Sequence, residues 1–116
     1  LETYLGMSIS ESEDEGWRGS GDVGWKLKSS TQSHWQGPNG ENGAGSDLVV
    51  FNAIGAGYRS PSASSQFSNM SMHTYFWTSD VGFQAGNREL AWNNSGVQKL
   101  LNVDKEYGFS IRCVAN

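Results

Sequence analysis

Lys105-Glu106-Tyr107-Gly108-Phe109-Ser110-Ile111-Arg112-Cys113-Val114 is the clearest alternating run in the chain. Tyr107, Phe109, Ile111 and Cys113 fall on one face, and Gly108, Ser110 and Arg112 on the other, the period of a half-buried β-strand. The pattern is weaker over Arg88 to Asn93, and His73 to Ser79 reads as a third strand. Leu48-Val49-Val50-Phe51 is an unbroken apolar run suited to a buried strand. Short strands separated by glycine-rich turns predict an α+β, mostly β domain with antiparallel strands, long loops and little helix.

Composition agrees. The 116 residues include fifteen glycines, two prolines, five Trp, four Tyr and five Phe, while only 17% are charged. Helical proteins carry more Ala, Leu, Glu and Lys than this. The length suits one domain, residues 1–116. A net charge of −4 with no basic run lacks the electrostatic footprint of a nucleic-acid binder, so that partner is excluded. No segment reaches the roughly 18 apolar residues of a membrane helix. Cys113 is the one cysteine; it is either a buried free thiol or half of a pair whose partner lies elsewhere.

Leu1-Glu2-Thr3-Tyr4-Leu5-Gly6 reads as the last turns of a helix, with Leu1 and Leu5 four apart and Gly6 as the stop. Residues 8–22 carry Glu11, Glu13, Asp14 and Glu15 among Ser and Gly and read as a solvated loop. Val23 to Ser29 is a short ordered segment. A second long polar stretch runs from Ser30 to Asp47, and loops of that length in compact domains are usually functional.

Gly19-Ser20-Gly21-Asp22-Val23-Gly24 matches the G-x-G-x-x-G dinucleotide pattern. An acidic polar loop precedes it where a strand is required, so the match is discounted. His34 and His73 sit in no nucleophile or metal motif, and one cysteine with two histidines cannot complete a four-ligand zinc site. The chain is read as a non-enzyme. Asn39, Glu41, Asn42 and Asp47 share a glycine-rich loop and supply hard oxygen donors, which makes them the candidate calcium ligands. The alternative is a turn whose Asn and Asp bond the local backbone. Trp17 and Trp35 also fall in polar loops, where an aromatic is either a lid over the core or a ligand platform. With Asn39 and Glu41 they form the candidate ligand-binding set.

Read in order, several segments resemble the Fibrobacter succinogenes major paralogous (FISUMP) domain family. Tyr4-Leu5-Gly6 is similar to its helix-closing Y-L-G. Gly24 to Ser29 is similar to its G-x-K-L-K-S, with Trp35 as the Trp that follows. Phe51 to Arg59 is similar to F-x-A-x-x-x-G-Y-R, Trp77-Thr78-Ser79 to W-(T/S)-S, and Ser95-Gly96-Val97 to S-G-V. Lys105 to Val114 is the most specific match, to K-x-Y-G-F-S-V-R-C-V. The resemblance covers essentially the whole chain.

The resemblance implies a C-type-lectin-like fold. It implies too that this chain is the C-terminal two-thirds of the domain, with the partner of Cys113 on a preceding segment, and that the segment alone folds poorly. It further implies a bacterial secreted or cell-surface setting, often on lipoproteins. Trp92-Asn93-Asn94 is similar to the W-N-D of calcium-dependent lectins, but no E-P-N or Q-P-D accompanies it. The function expected is a non-catalytic binding or adhesion module presenting long loops to a glycan or protein ligand. The alternative is a structural or assembly subunit of a surface structure or filament.

Overall fold

β4 (His73–Val81) and β5 (Ala85–Ala91) form the centre of a six-stranded sheet in the computed structural model, which describes residues 1–62, 66–81 and 83–114. β6 (Val97–Val103) pairs with β5, and β1 (Gly16–Arg18) closes that side. On the other side β2 (Ala56–Arg59) meets β4 in parallel at Gly57↔Thr74, and β3 (Phe67–Met70) forms the far edge. Among the described residues, helix is confined to α1 (Ile9–Glu13), α2 (Val23–Leu27) and two single 3₁₀ turns. This is the α+β, mostly β class expected.

Register sorts the side chains, because residues directly opposite each other in antiparallel strands project to the same side. Phe76↔Arg88↔Lys99 and Thr74↔Leu90 face one side; Tyr75↔Glu89↔Gln98↔Trp17 and Trp77↔Asn87↔Leu100 face the other. The first face is the core. Leu90 and Val97 meet Leu5, Met7, Val23, Leu27, Trp35 and Ala53, with Phe51, Phe76 and Trp92 packed around them. Trp35 has no exposed surface, and its indole Nε1 donates to the Ala53 carbonyl at 2.7 Å. Gly24 backs so closely onto β6 that a Cβ there would stand 1.9 Å from the Gly96 carbonyl oxygen.

The opening helical turn ends as the sequence predicts. Gly6 has φ +113°; its N–H donates to Thr3 O, and Met7 N–H donates to Glu2 O, the paired bonds of a Schellman stop. Glu2 then accepts from both Arg18 guanidinium nitrogens, at 2.8 and 2.9 Å, and from Arg88 Nε at 2.9 Å. Arg88 continues to Asp80 at 3.0 Å. On the opposite side of α2, Lys28 places its Nζ against the carbonyls of Ala91 and Asn94, at 2.9 and 3.1 Å. Burial draws the Lys28 ammonium down to a pKa of about 8.

Three expectations are corrected. Leu48–Phe51 is a turn, not a strand: Asp47 Oδ1 accepts from Asn52 N–H at 2.6 Å, Val50 adopts φ +55°, and Leu48 and Val50 project into solvent. Apolar runs this short do not separate a strand from a turn that buries alternate residues, here Val49 and Phe51. Glu106–Val114 is not a continuous strand: it starts in a turn, where Tyr107 N–H donates to Asp104 O, and then makes only isolated bridges, Gly108 to Arg59 and Ser110 to Phe76. It wedges between β2 and β4 without pairing continuously to either, which leaves Ile111 and Cys113 exposed. Residues 8–22 hold α1 and β1 in place of a solvated loop; the Ser8 hydroxyl caps Glu11 N–H, and the Glu11 carboxylate accepts from Gly19 and Ser20 N–H.

The Glu2 cluster yields a stability prediction. Glu2→Gln leaves two guanidinium groups competing for a neutral amide; the cost, discounted for the partial exposure of Glu2, is about 2–4 kcal/mol in chemical denaturation. Burial raises the Glu2 pKa, but Arg18 and Arg88 outweigh burial and set it below the ordinary value of 4.5. The stabilisation is therefore complete above that value and lost as pH falls through the lower folded-state pKa. Acid denaturation of the Glu2→Gln variant is expected to show a flatter dependence on pH in that window; an unchanged profile would exclude Glu2 as a source of acid sensitivity.

Candidate ligand-binding cleft

The sheet face opposite the core carries a continuous aromatic cluster. Tyr75 meets Tyr58 edge-on at 5.4 Å between ring centroids and stacks on Phe109 at 5.0 Å. Phe109 also touches Trp77 at 4.5 Å, and Tyr107 lies beside both Tyr58 and Phe109. Tyr58 comes from β2, Tyr75 and Trp77 from β4, and Tyr107 and Phe109 from the C-terminal wedge. The isolated bridges of that wedge lay its two rings across the gap between β2 and β4.

Beside the cluster opens a cleft of about 370 Å³. Tyr58, Tyr75, Tyr107 and Phe109 form one wall; Asn69, Asn87, Asn102 and Asp104 supply the polar groups. Asn87 is 2% exposed, and its Oδ1 has no hydrogen-bond partner. An unpaired buried acceptor costs free energy, and this one borders an open cavity. Burial, reinforced by the nearby Glu89 carboxylate, raises the Tyr75 pKa well above the ordinary tyrosine value of 10.0. Glu89 itself accepts from His73 Nδ1 at 2.6 Å. With the Gln98 amide turned to satisfy both its ends, its nitrogen donates to Glu89 and its oxygen accepts from Trp17 Nε1 at 3.2 Å. A polar row thus crosses four strands beneath the cleft.

The residues singled out in the sequence do not converge on one site. Trp35 is in the core, so of its two readings the lid holds and the ligand platform does not: a ring with no exposed surface cannot stack on a ligand. Trp17 is 42% exposed on β1, on the cleft side of the sheet but at its opposite edge. Glu41 accepts from Asn39 N–H at 2.9 Å and from its side-chain amide at 3.1 Å; Asn42 Oδ1 accepts from Ala44 N–H, and Asp47 Oδ1 from Asn52 N–H. Each of these acceptors closes a local turn. Among the described residues, no group of three or more His, Cys, Asp or Glu side chains is placed to hold a metal ion.

Two of the three glycines of the G-x-G-x-x-G pattern serve packing, Gly21 against Gly6 and Gly24 against Gly96, while a Cβ at Gly19 would meet open space. His34 Nδ1 lies 2.9 Å from Ser29 Oγ, but Ser29 is buried. Cys113, as the one cysteine, forms no intrachain disulfide. Among the described residues, no helix is long and apolar enough to cross a membrane.

The cleft itself was missed by sequence reasoning except for Tyr107 and Phe109, which alternation had already placed on one face. Asn69, Asn87 and Asn102 carry no local signal, since only the strand register brings them together.

The model of one protein family, the Fibrobacter succinogenes major domain, matches residues 1–115. No curated protein and no solved structure matches the chain significantly.

Tyr75 provides a check on the cleft floor. Its raised pKa means that folding keeps the proton which the unfolded chain releases near pH 10.0. Stability is therefore expected to decline as pH rises above that value. The Tyr75→Phe variant should show a shallower alkaline decline in a thermal-melt series; equal slopes would mean that the half-buried Tyr75 phenol is not a source of that decline.

Proposed function

The chain belongs to the Fibrobacter succinogenes major domain family, and we propose that it acts as a non-catalytic extracellular binding or adhesion module that holds a neutral saccharide in the aromatic and amide cleft. The observation that carries this reading is the unpaired Asn87 Oδ1 at the cleft. Pockets that recognise small molecules combine apolar and aromatic walls with a few placed polar groups. Here tyrosine and phenylalanine rings offer stacking surfaces, and three asparagines offer both donors and acceptors in a form suited to sugar hydroxyls. Asp104 is the one charged residue of the lining, and no cation accompanies it, which favours a neutral ligand over an acidic one.

This reading keeps the binding module expected from the sequence but moves its surface from the long loops to the strands. The C-type-lectin-like placement belongs to the same proposal. It is supported by the helical turn closing at Gly6, by the sheet, and by the loop 30–47 folded back over α2 through bonds such as Gly45 N–H to Ser29 O. The extracellular setting rests on the family resemblance. A second reading, as an assembly subunit, is favoured by the edge strand β3, where Met70 is 59% exposed, because unpaired edges template pairing with another chain. Sedimentation over a range of concentrations tests it, and a monomer throughout would count against self-assembly.

Calorimetric titration of the 116-residue chain with neutral gluco-, manno-, galacto- and xylo-oligosaccharides tests the first reading. Asn87→Ala is expected to weaken binding at least about tenfold, equivalent to about 1.4 kcal/mol. It should leave thermal stability unchanged or raised, since it removes an unsatisfied buried acceptor. Binding should survive a calcium chelator. Loss on chelation with recovery on added calcium would instead direct attention to Asn39, Glu41, Asn42 and Asp47. Absence of binding to every sugar would remove the saccharide reading.

A further inference from the structure

On the core side of the sheet, facing away from the cleft, β4 and the C-terminal wedge border a cavity of about 210 Å³. Thr74 and Phe76 project to this side by their register with Leu90 and Arg88, and Ser110 shares it as the bridge partner of Phe76. Arg112, two residues on, lies on the same side. Its guanidinium stands over the Phe51 ring at 5.0 Å, and Phe51 meets Phe76 edge-on at 5.7 Å. The rest of the lining is apolar: Ala56, Ile54 and Ile111, with both isoleucines exposed.

Every polar side chain of this lining can donate a hydrogen bond, and none is a carboxylate. Thr74 has no exposed surface, and its Oγ1 has no hydrogen-bond partner among the described residues, a cost that the chain alone does not offset. Among the described residues Arg112 contacts the Phe51 ring but makes no hydrogen bond or ion pair, so its N–H donors stay open. The carboxylates of Glu2 and Asp80 are already engaged by Arg18 and Arg88. The cavity is therefore apolar with one unmatched positive charge.

We propose that this cavity binds a small organic acid with a compact apolar body. The carboxylate takes the Arg112 guanidinium and the Ser110 and Thr74 hydroxyls, and the body packs against Phe76 and the two isoleucines. Arginine suits the role because its planar fork matches a carboxylate. The apolar lining favours a monocarboxylate over phosphate or sulfate, whose further polar oxygens would face isoleucine without partners. The site uses the other face of the sheet and is independent of the saccharide reading.

The test is an NMR titration of the intact, isotope-labelled chain with benzoate and isovalerate, beside benzamide, isovaleramide and inorganic phosphate. The acids are expected to shift the backbone N–H signals of Thr74, Ser110 and Arg112 saturably, and to bind at least about tenfold more tightly than their neutral analogues. Arg112→Gln, at an exposed position, should abolish that preference and leave the neutral analogues unchanged. Thr74→Val keeps the shape of the cavity; it should weaken the acids at least about threefold and leave the melting temperature unchanged or raised. Equal binding of acids and neutral analogues would overturn the site, as would phosphate competing as well as benzoate. Acid binding undiminished in either variant, or shifts confined to residues outside the cavity, would overturn it too.

Discussion

The Glu2 carboxylate joins three parts of the chain that are remote in sequence: the opening helical turn, the edge strand at Arg18 and the central strand at Arg88. The Arg18 side chain is almost wholly inaccessible, and a buried guanidinium is tolerable only when its charge and donors are answered. Its head group also reaches the Ser12 carbonyl and the Met7 sulfur. The segment from Leu1 to Arg18 is thereby tied across the core face, and Met7 and Leu5 are held where they cover Leu90 and Val97. Because β1 lies beyond β6, the same contact fixes the sheet edge that carries Trp17. The cleft lies on the other face of the sheet, where residues of β2 to β6 line it.

The division of β5 into two faces then determines the character of the molecule. Leu90 and Arg88 look inward; Glu89 and Asn87 look outward, and both outward residues are nonetheless buried. A solvated sheet face would leave such side chains exposed. Here the wedge of Tyr107 and Phe109 roofs the outer face with aromatic rings, so polar groups on the strand are enclosed without all being satisfied. Glu89 is saturated by its neighbours and Asn87 is not. That contrast between side chains two residues apart separates scaffold from site.

Sequence patterns disclosed the class of fold and the ends of several elements, because those are set locally. The segments His73 to Ser79 and Arg88 to Asn93 fell on β4 and the end of β5, and Gly6 marked the stop of the first turn, where it adopts a positive φ. Local patterns failed where tertiary context decided. Leu48–Phe51 has the composition of a buried strand, yet Asp47 bends it into a turn that buries two of the four side chains. The acidic segment 8–22 resembles a solvated loop, yet a capped turn and a buried arginine order it. Trp35 illustrates the limit for sites. Its polar neighbours left both lid and platform open, and its depth decides for the lid. The cleft residues belong to strands far apart in the chain, so register was needed to reveal them.

The C-terminal wedge is attached to β2 and β4 by single bridges, in contrast to the continuous ladders between β4, β5 and β6. Segments held by few backbone bonds open at far lower free energy than the sheet they lie on. Tyr107 and Phe109 travel with that segment, so the aromatic wall of the cleft can detach while the core and its arginine cluster stay intact. The molecule accordingly has two stabilities, one for the scaffold and a smaller one for the aromatic wall of the cleft.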